Sequence, residues 1–542
     1  MKEQSTGKSF IALSFAGILV KVMSLLYVPI IIRILGDEGY GIYLASYDIF
    51  SLIYVVTNSG MQIAIAKQIA EFVALNQQQN VVKTFYVGKR ILFFIGLISS
   101  LILLLTSKIM AELVSSQRSY LGIVFLSPTI FFTSVLAAYR GFFQGISNMT
   151  PVAFSQVLEQ VCNIFISVFF AFTLVNKSLE LGAAGGTIGT TVGAFFAIVF
   201  LCYVLRKDKI IYNMSNSIPY LNCELERRDR VSTKQIVKTF LKYGMPVILT
   251  SGIQYVGAVI DLALVKNRLL VAGFDSNASD ILYGLLGKYK TLIYVPLAFI
   301  AALSAAVIPS IVKSVVLKDN EELFNKIRFA LKISFLISIP ACVGLSILSK
   351  PIYSILFSQE YSAGYRLMLY GSTLVIFMSV VQIQTTILQG VNKFYSVFLS
   401  LFLGVIIKLL SNYFFVGINF ININGAVIGS ILGFFIPMII NDILIKKYTG
   451  FRSKMFSSML KPILASIFMG IIVMFSYNFF NAVFNSLSIG IYISFIFSVV
   501  LGCSAYFLLI VVLKYIKKSD LDFMPNAIVN RIPKKIMSKF FK

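Results

Sequence analysis

The chain has 542 residues, 58% of them hydrophobic and 13% charged, with a formal net charge of +25. A soluble domain carries about twice that charged fraction, so the composition excludes one; with no basic domain outside the apolar runs, nucleic-acid binding is excluded as well. The absence of His and Trp removes histidine acid–base chemistry and histidine metal ligation, and the five cysteines (Cys162, Cys202, Cys223, Cys342, Cys503) show no disulfide or zinc spacing.

The apolar residues fall in runs of roughly 20 or more, enough to cross about 30 Å of hydrocarbon as helix. Backbone polar groups in lipid must be satisfied within the segment, so such runs are helices, and the alternation of a barrel strand is absent. The expected architecture is an all-α polytopic membrane protein with fourteen transmembrane helices. Their predicted spans are 10–33, 41–65, 85–107, 121–146, 151–175, 183–205, 240–265, 281–312, 329–349, 365–390, 394–416, 424–445, 459–480 and 487–513. The first lacks a small-residue cleavage site and reads as a retained helix. The eighth contains Pro296 and Pro309 and is expected to kink or end early.

Basic residues test the count. They crowd the 206–238 loop (Arg206, Lys207, Lys209, Arg227, Arg228, Arg230), the 313–332 and 446–461 connections and the tail from Lys514, whereas the 417–423 and 481–486 connections hold none. Cytoplasmic loops carry the Lys/Arg excess, so both termini are expected in the cytoplasm of a bacterial inner membrane. The predicted organisation is residues 1–205 as the first lobe, 206–238 as a basic cytoplasmic loop, 239–446 as the second lobe, 447–515 as helices 13 and 14, and 516–542 as a basic cytoplasmic tail.

The halves resemble each other. Leu52-Ile53-Tyr54-Val55 recurs as Leu292-Ile293-Tyr294-Val295, and Gln144-Gly145 as Gln389-Gly390. The ladder Gly185, Gly189, Gly193 recurs as Gly425, Gly429, Gly433. Three matches in one order indicate a duplication of six helices. An even number puts both halves in the membrane the same way up, related by a pseudo-twofold axis along the membrane normal, with a substrate site between lobes. The ladders read first as close helix packing.

Ionisable residues inside spans are expensive and usually face a cavity or a partner. Here they are Lys21, Asp48, Arg140 and Glu159 in the first half, and Asp261, Lys288, Lys290 and Lys408 in the second. Cations outnumber anions, which suits an anionic cargo such as a diphosphate; Arg grips phosphate bidentately and Lys acts as a point charge. The alternative is that they pair with Asp48, Glu159 and Asp261 and hold the bundle together. Arg33, Lys266 and Arg268 lie at helix ends, where snorkelling accounts for them. No phosphate-binding G-x-x-x-x-G-K-[ST] loop occurs, so ATP does not drive the process.

The segment Arg140-Gly141-Phe142-Phe143-Gln144-Gly145, with Met149, Pro151, Ser155-Gln156 and Glu159-Gln160, resembles the helix 4–5 signature of the polysaccharide transporter family. That family, with the lipid II flippases, lies in the multidrug/oligosaccharidyl-lipid/polysaccharide exporter superfamily. Leu35-Gly36-x-x-Gly39-Tyr40-Gly41, Asn267-Arg268-Leu269, Leu282-Tyr283-Gly284 and Leu303-Ser304-x-x-Val307-Ile308-Pro309 support the resemblance. It implies a secondary transporter, not an enzyme, that flips an undecaprenyl-diphosphate-linked saccharide (lipid II or a related envelope unit) by alternating access. It implies no cofactor, with Na+ or H+ coupling open, and as partners a lipid-linked oligosaccharide, the bilayer and cell-envelope synthesis enzymes. The cavity positions it implies are Lys21, Arg140, Glu159, Asp261 and Arg268. Arg33, Lys288 and Lys408 join the substrate-binding candidates on charge alone, and Asp48, Glu159 and Asp261 are ion-coupling candidates. It also implies that helices 13 and 14 hold the lipid tail. The rival readings are a multidrug or cation antiporter, a membrane enzyme of the sugar-ligase kind, and a non-transporting partner in envelope or spore assembly.

Overall fold

The computed structural model describes residues 6–207, 231–357, 364–453, 455–484 and 489–515. Most of the basic loop and the basic tail expected from sequence therefore lie outside the described residues. Among those described there are helices and turns and no strand, as the apolar runs require.

In chain order the helices are α1 (Thr6–Thr57), α2 (Ser59–Ala74), α3 (Gln78–Leu113), α4 (Tyr120–Gly145), α5 (Met149–Val175), α6 (Leu179–Lys207), α7 (Thr233–Val271) and α8 (Ser276–Val316). They continue as α9 (Asn320–Ile347), α10 (Ser349–Phe357), α11 (Tyr365–Gly371), α12 (Leu374–Gly390), α13 (Phe394–Val416), α14 (Asn424–Thr449), α15 (Met455–Phe484) and α16 (Gly490–Val512). Among the described residues, eleven helices are long and apolar enough to cross a membrane, or twelve if the bent pair α11–α12 (53°) is one span. The chain is thus a multi-pass membrane protein, but fourteen crossings are not reached by this measure. Two expected spans run together as one helical stretch through Gly36, and α8 is not among the eleven.

Gly36 explains the first merger. Helical residues continue on both sides of it, yet it sits at φ 69°, ψ −179°, a region that only a residue without Cβ occupies cheaply. The chain kinks there and α1 becomes two arms. Gly36→Ala should cost about 2 kcal/mol of stability, read as a lower thermal unfolding midpoint in detergent.

The early end expected of the eighth span does not occur. α8 remains helical through Pro296 and Pro309, because neighbouring helices in a bundle can satisfy the backbone groups a proline frees.

Short turns join the helices, and several use one device. After α4, the Ser147 N–H donates to the Gln144 carbonyl (3.0 Å) and the Asn148 N–H to the Phe143 carbonyl (2.9 Å). After α12, Asn392 donates to Gln389 (2.9 Å) and Lys393 to Leu388 (2.8 Å). Ser147 (φ 57°) and Asn392 (φ 60°) take the left-handed conformation that this paired-bond cap requires. The two Gln-Gly sites noted in sequence therefore end their helices in the same way.

Packing divides the chain into two compact units, residues 1–287 with 412–423, and residues 288–411 with 424–542. The first has a core of buried apolar residues including Phe85, Tyr139, Phe142 and Phe240, with the Phe85 and Phe142 rings 4.7 Å apart. Its glycine ladder lays α6 flush on α5: a Cβ at Gly185 would sit 2.7 Å from the Phe170 carbonyl oxygen, and one at Gly193 2.5 Å from that of Glu159. In the second unit, α14 meets α13 likewise at Gly433 and Gly404. Helices α15 and α16 dock on α9, where Tyr506 donates to the Leu336 carbonyl (3.0 Å) and Tyr515 to that of Lys332 (3.2 Å).

Candidate functional site

The lower arm of α1 carries Tyr40, Tyr43, Tyr47 and Tyr54 at helical spacing. Consecutive rings of the first three pack together, with Tyr43 and Tyr47 centroids 4.7 Å apart. Tyr27 of the upper arm lies 3.4 Å from the Tyr43 hydroxyl and donates to the Gly186 carbonyl (3.2 Å); Tyr47 bonds Thr190 of α6. This tyrosine ladder ties the kinked helix to α6. The spacing was visible in sequence, but an aromatic stripe more often marks a core than a site.

Asp48, on the same arm, accepts a hydrogen bond from Tyr283 of α8 at 2.5 Å. Arg140 of α4 is buried and faces α5, its Nη2 donating to Glu159 Oε2 at 2.6 Å and its Nε to Ser155 Oγ at 3.0 Å. Five guanidinium donors in a rigid plane suit such a fixed pair. Arg140 and Glu159, both candidates from sequence, are joined to each other by a direct ion pair. Here the pairing alternative is what the geometry shows.

Asp261 of α7 is 1% exposed, and its Oδ1 accepts from Asn412 Nδ2 at 2.9 Å. Asn412 Oδ1 is buried without a hydrogen-bond partner. Arg268, near the end of α7, lays its guanidinium 4.3 Å from the Tyr413 ring centroid and beside Gly417, with Nε buried and unbonded. A cation over an aromatic face is attracted by the ring quadrupole. Lys21 and Arg33 are exposed. In the second unit, Lys288 is fully buried with Nζ 5.3 Å from the Phe357 centroid, and Lys290 is half-buried. The Lys408 stem packs against Gly433. No cluster of three or more metal-ligating side chains occurs among the described residues.

Snorkelling is not how Lys266 is accommodated. It is 1% exposed, donates to Ser116 Oγ at 2.7 Å and forms an ion pair with Asp280. Arg118, in the turn between α3 and α4, pairs with Glu38 and, through Nε, with Glu180 at 2.7 Å. It also donates to Asn277 Oδ1 at 3.0 Å and lies 3.7 Å from Asp280. Sequence reasoning missed this network. Its members lie outside or at the ends of the spans, where single charges are unremarkable, and only the fold brings five segments to one place.

Residues 6–315 match the family described as polysaccharide biosynthesis protein. The chain belongs to that family. Among curated relatives, the lipid II flippase MurJ of Bacillus subtilis (strain 168) is 24% identical over 451 residues, 80% of this chain and 81% of its own. Stage V sporulation protein B of the same organism is 23% identical over 414 residues, 75% and 77% of the two chains. Among solved structures, MurJ in an inward closed conformation superposes with a TM-score of 0.63 at 15% identity, covering 93% of this chain and 98% of that one. A multidrug resistance MATE transporter of the MOP superfamily, inward-facing, also gives 0.63, at 14% identity and 81% and 98% coverage. The fold of this family member is that of MurJ and MATE transporters. MurJ and the MATE protein are a flippase and a transporter, not enzymes.

Proposed function

We propose that the chain is a flippase moving an undecaprenyl-diphosphate-linked saccharide from the inner to the outer leaflet of a bacterial cytoplasmic membrane, with both termini cytoplasmic. The supporting observation is that a protein named a lipid II flippase aligns over four-fifths of both chains. The chemistry agrees. An unpaired charge in hydrocarbon costs many kcal/mol, so a diphosphate head needs cations that can replace its hydration while the lipid tail stays in the bilayer. Lys and Arg within the helices supply them. In this orientation the Gly36 end of the first unit faces outward.

Purified protein in liposomes should expose a fluorescent undecaprenyl-diphosphate saccharide to an external quencher or modifying enzyme. The wild type should raise that rate well above empty vesicles and should not accumulate organic cations. Cation uptake without saccharide movement would replace this reading with the multidrug one.

Coupling to Na+ or H+ is proposed to run through Asp261, where a buried carboxylate and the unsatisfied Asn412 oxygen lie together. Asp261→Asn should remove the response of flipping to an imposed Na+ or pH gradient while headgroup binding, followed by native mass spectrometry, persists.

A further inference from the structure

We propose that Arg118, Glu38, Glu180, Asp280 and Lys266 form a latch that holds the outward end of the first unit shut and must come apart for that end to open. The purpose of such a latch rests on the carrier reading above; its existence does not.

The seam it crosses is closed backbone to backbone. The lower arm of α1 lies so tightly on the start of α8 that a Cβ at Gly41 would meet the Asp280 carbonyl. One at Gly284 would meet the Asp37 carbonyl, and one at Gly287 would run into Leu44. Directly at this seam, the Arg118 guanidinium spans Glu38 of α1, Glu180 of α6 and Asn277 and Asp280 of α8. Lys266 of α7 approaches Asp280 from the buried side and bonds Ser116, two residues from Arg118. Asp280 is therefore the counter-charge shared by both cations, and α7 and α8 are bound through it to the first six helices.

The two layers differ in strength. Arg118, Glu38 and Glu180 keep 28%, 29% and 31% of their side-chain surface exposed, so each of those pairs is weak and reversible in water. The Lys266–Asp280 pair is almost wholly enclosed, and separating it strands two charges unless water enters as the seam parts. The consecutive helices α1–α2 and α7–α8 meet again at the opposite end, there through α2 and α7. There a Cβ at Gly60 of α2 would lie 2.7 Å from the Gly244 carbonyl oxygen of α7. The polar contacts at that end, Tyr243 to Glu71 (3.0 Å) and Lys67 over the Tyr243 ring (3.7 Å), are exposed. Two helix groups, α1–α2 and α7–α8, with a contact at each end can rock about either. The charges load the outward contact more heavily.

Hydrogen–deuterium exchange of the full chain in nanodiscs, without cargo, tests this. Asp280→Asn and Glu180→Gln should each raise exchange several-fold in residues 37–44 and 276–287 and lower it in residues 59–74 and 240–250. Exchange in residues 320–347 should stay at the wild-type rate, and Asp442→Asn, a hydrogen-bonded carboxylate of the second unit, should move neither seam. If Asp280→Asn does not fold, Glu180→Gln, which removes a partly exposed contact, carries the test alone. Unchanged exchange, a change of one sign at both ends, or an equal effect from Asp442→Asn overturns the latch. No saccharide enters the measurement, so failure of the flipping assay and failure of the latch are separate results.

Discussion

Arg140→Ala should abolish saccharide flipping and lower stability by about 2–3 kcal/mol. The guanidinium is held by Ser155 and Glu159 from one neighbouring helix, and its removal leaves a carboxylate with 22% of its side chain exposed facing only its remaining surroundings. The figure sits below that for a fully enclosed pair because water reaches Glu159. A double variant, Arg140→Gln with Glu159→Gln, should regain most of the lost stability, since two neutral amides carry no stranded charge. It should not regain transport. Thermal unfolding in detergent and the liposome assay read the two effects separately. Full flipping by Arg140→Ala would confine this residue to holding α4 against α5 and would weaken the case that family-matched cations handle the cargo.

Gly189→Val should prevent stable accumulation of the protein in the membrane, a loss of about 3 kcal/mol or more. The first carbon of any side chain there would meet the Asn163 carbonyl and Ser167 Oγ, and would sit 2.7 Å from the Ser167 backbone nitrogen. Backbone atoms cannot rotate aside, so α5 and α6 would have to separate along their length. Gly344→Ala is the matched control, because nothing lies within 4 Å of the position its Cβ would take; it should accumulate as the wild type does. Membrane-fraction immunoblots and unfolding midpoints measure both. Normal levels of Gly189→Val would mean that the ladder is not a packing seam.

Residues that act through local periodicity were legible before the structure. The apolar runs gave the helices, the ladder at Gly185, Gly189 and Gly193 gave a packing face, and the paired Gln-Gly sites gave equivalent helix ends. Arg140 and Glu159 could be named because charge inside an apolar run is conspicuous. Lys266 was misread because its partner, Asp280, sits in the next helix beyond a turn whose direction the sequence does not specify. Arg118 was overlooked because an arginine in a polar turn costs nothing until three carboxylates from distant segments converge on it. Tyr283 likewise lies far along the chain from Asp48, and only the meeting of α1 and α8 makes its hydroxyl a donor. The number of crossings depended on where helices stop. The break expected between residues 33 and 41 is the kink at Gly36, across which helical residues continue on both sides, and the prolines of α8 do not end that helix, so helix ends do not follow from residue type alone.

The kink at Gly36 has a mechanical consequence. One residue free of side-chain torsional restriction separates the arm bearing Lys21 and Arg33 from the arm bearing Asp48 and the tyrosines. A swivel in two dihedral angles reorients thirty residues at once while every turn of both arms keeps its ladder of bonds. The leading segment can therefore tilt as a rigid paddle once Tyr27 lets go of Tyr43 and the Gly186 carbonyl, at the cost of those packed contacts rather than of melting a helix.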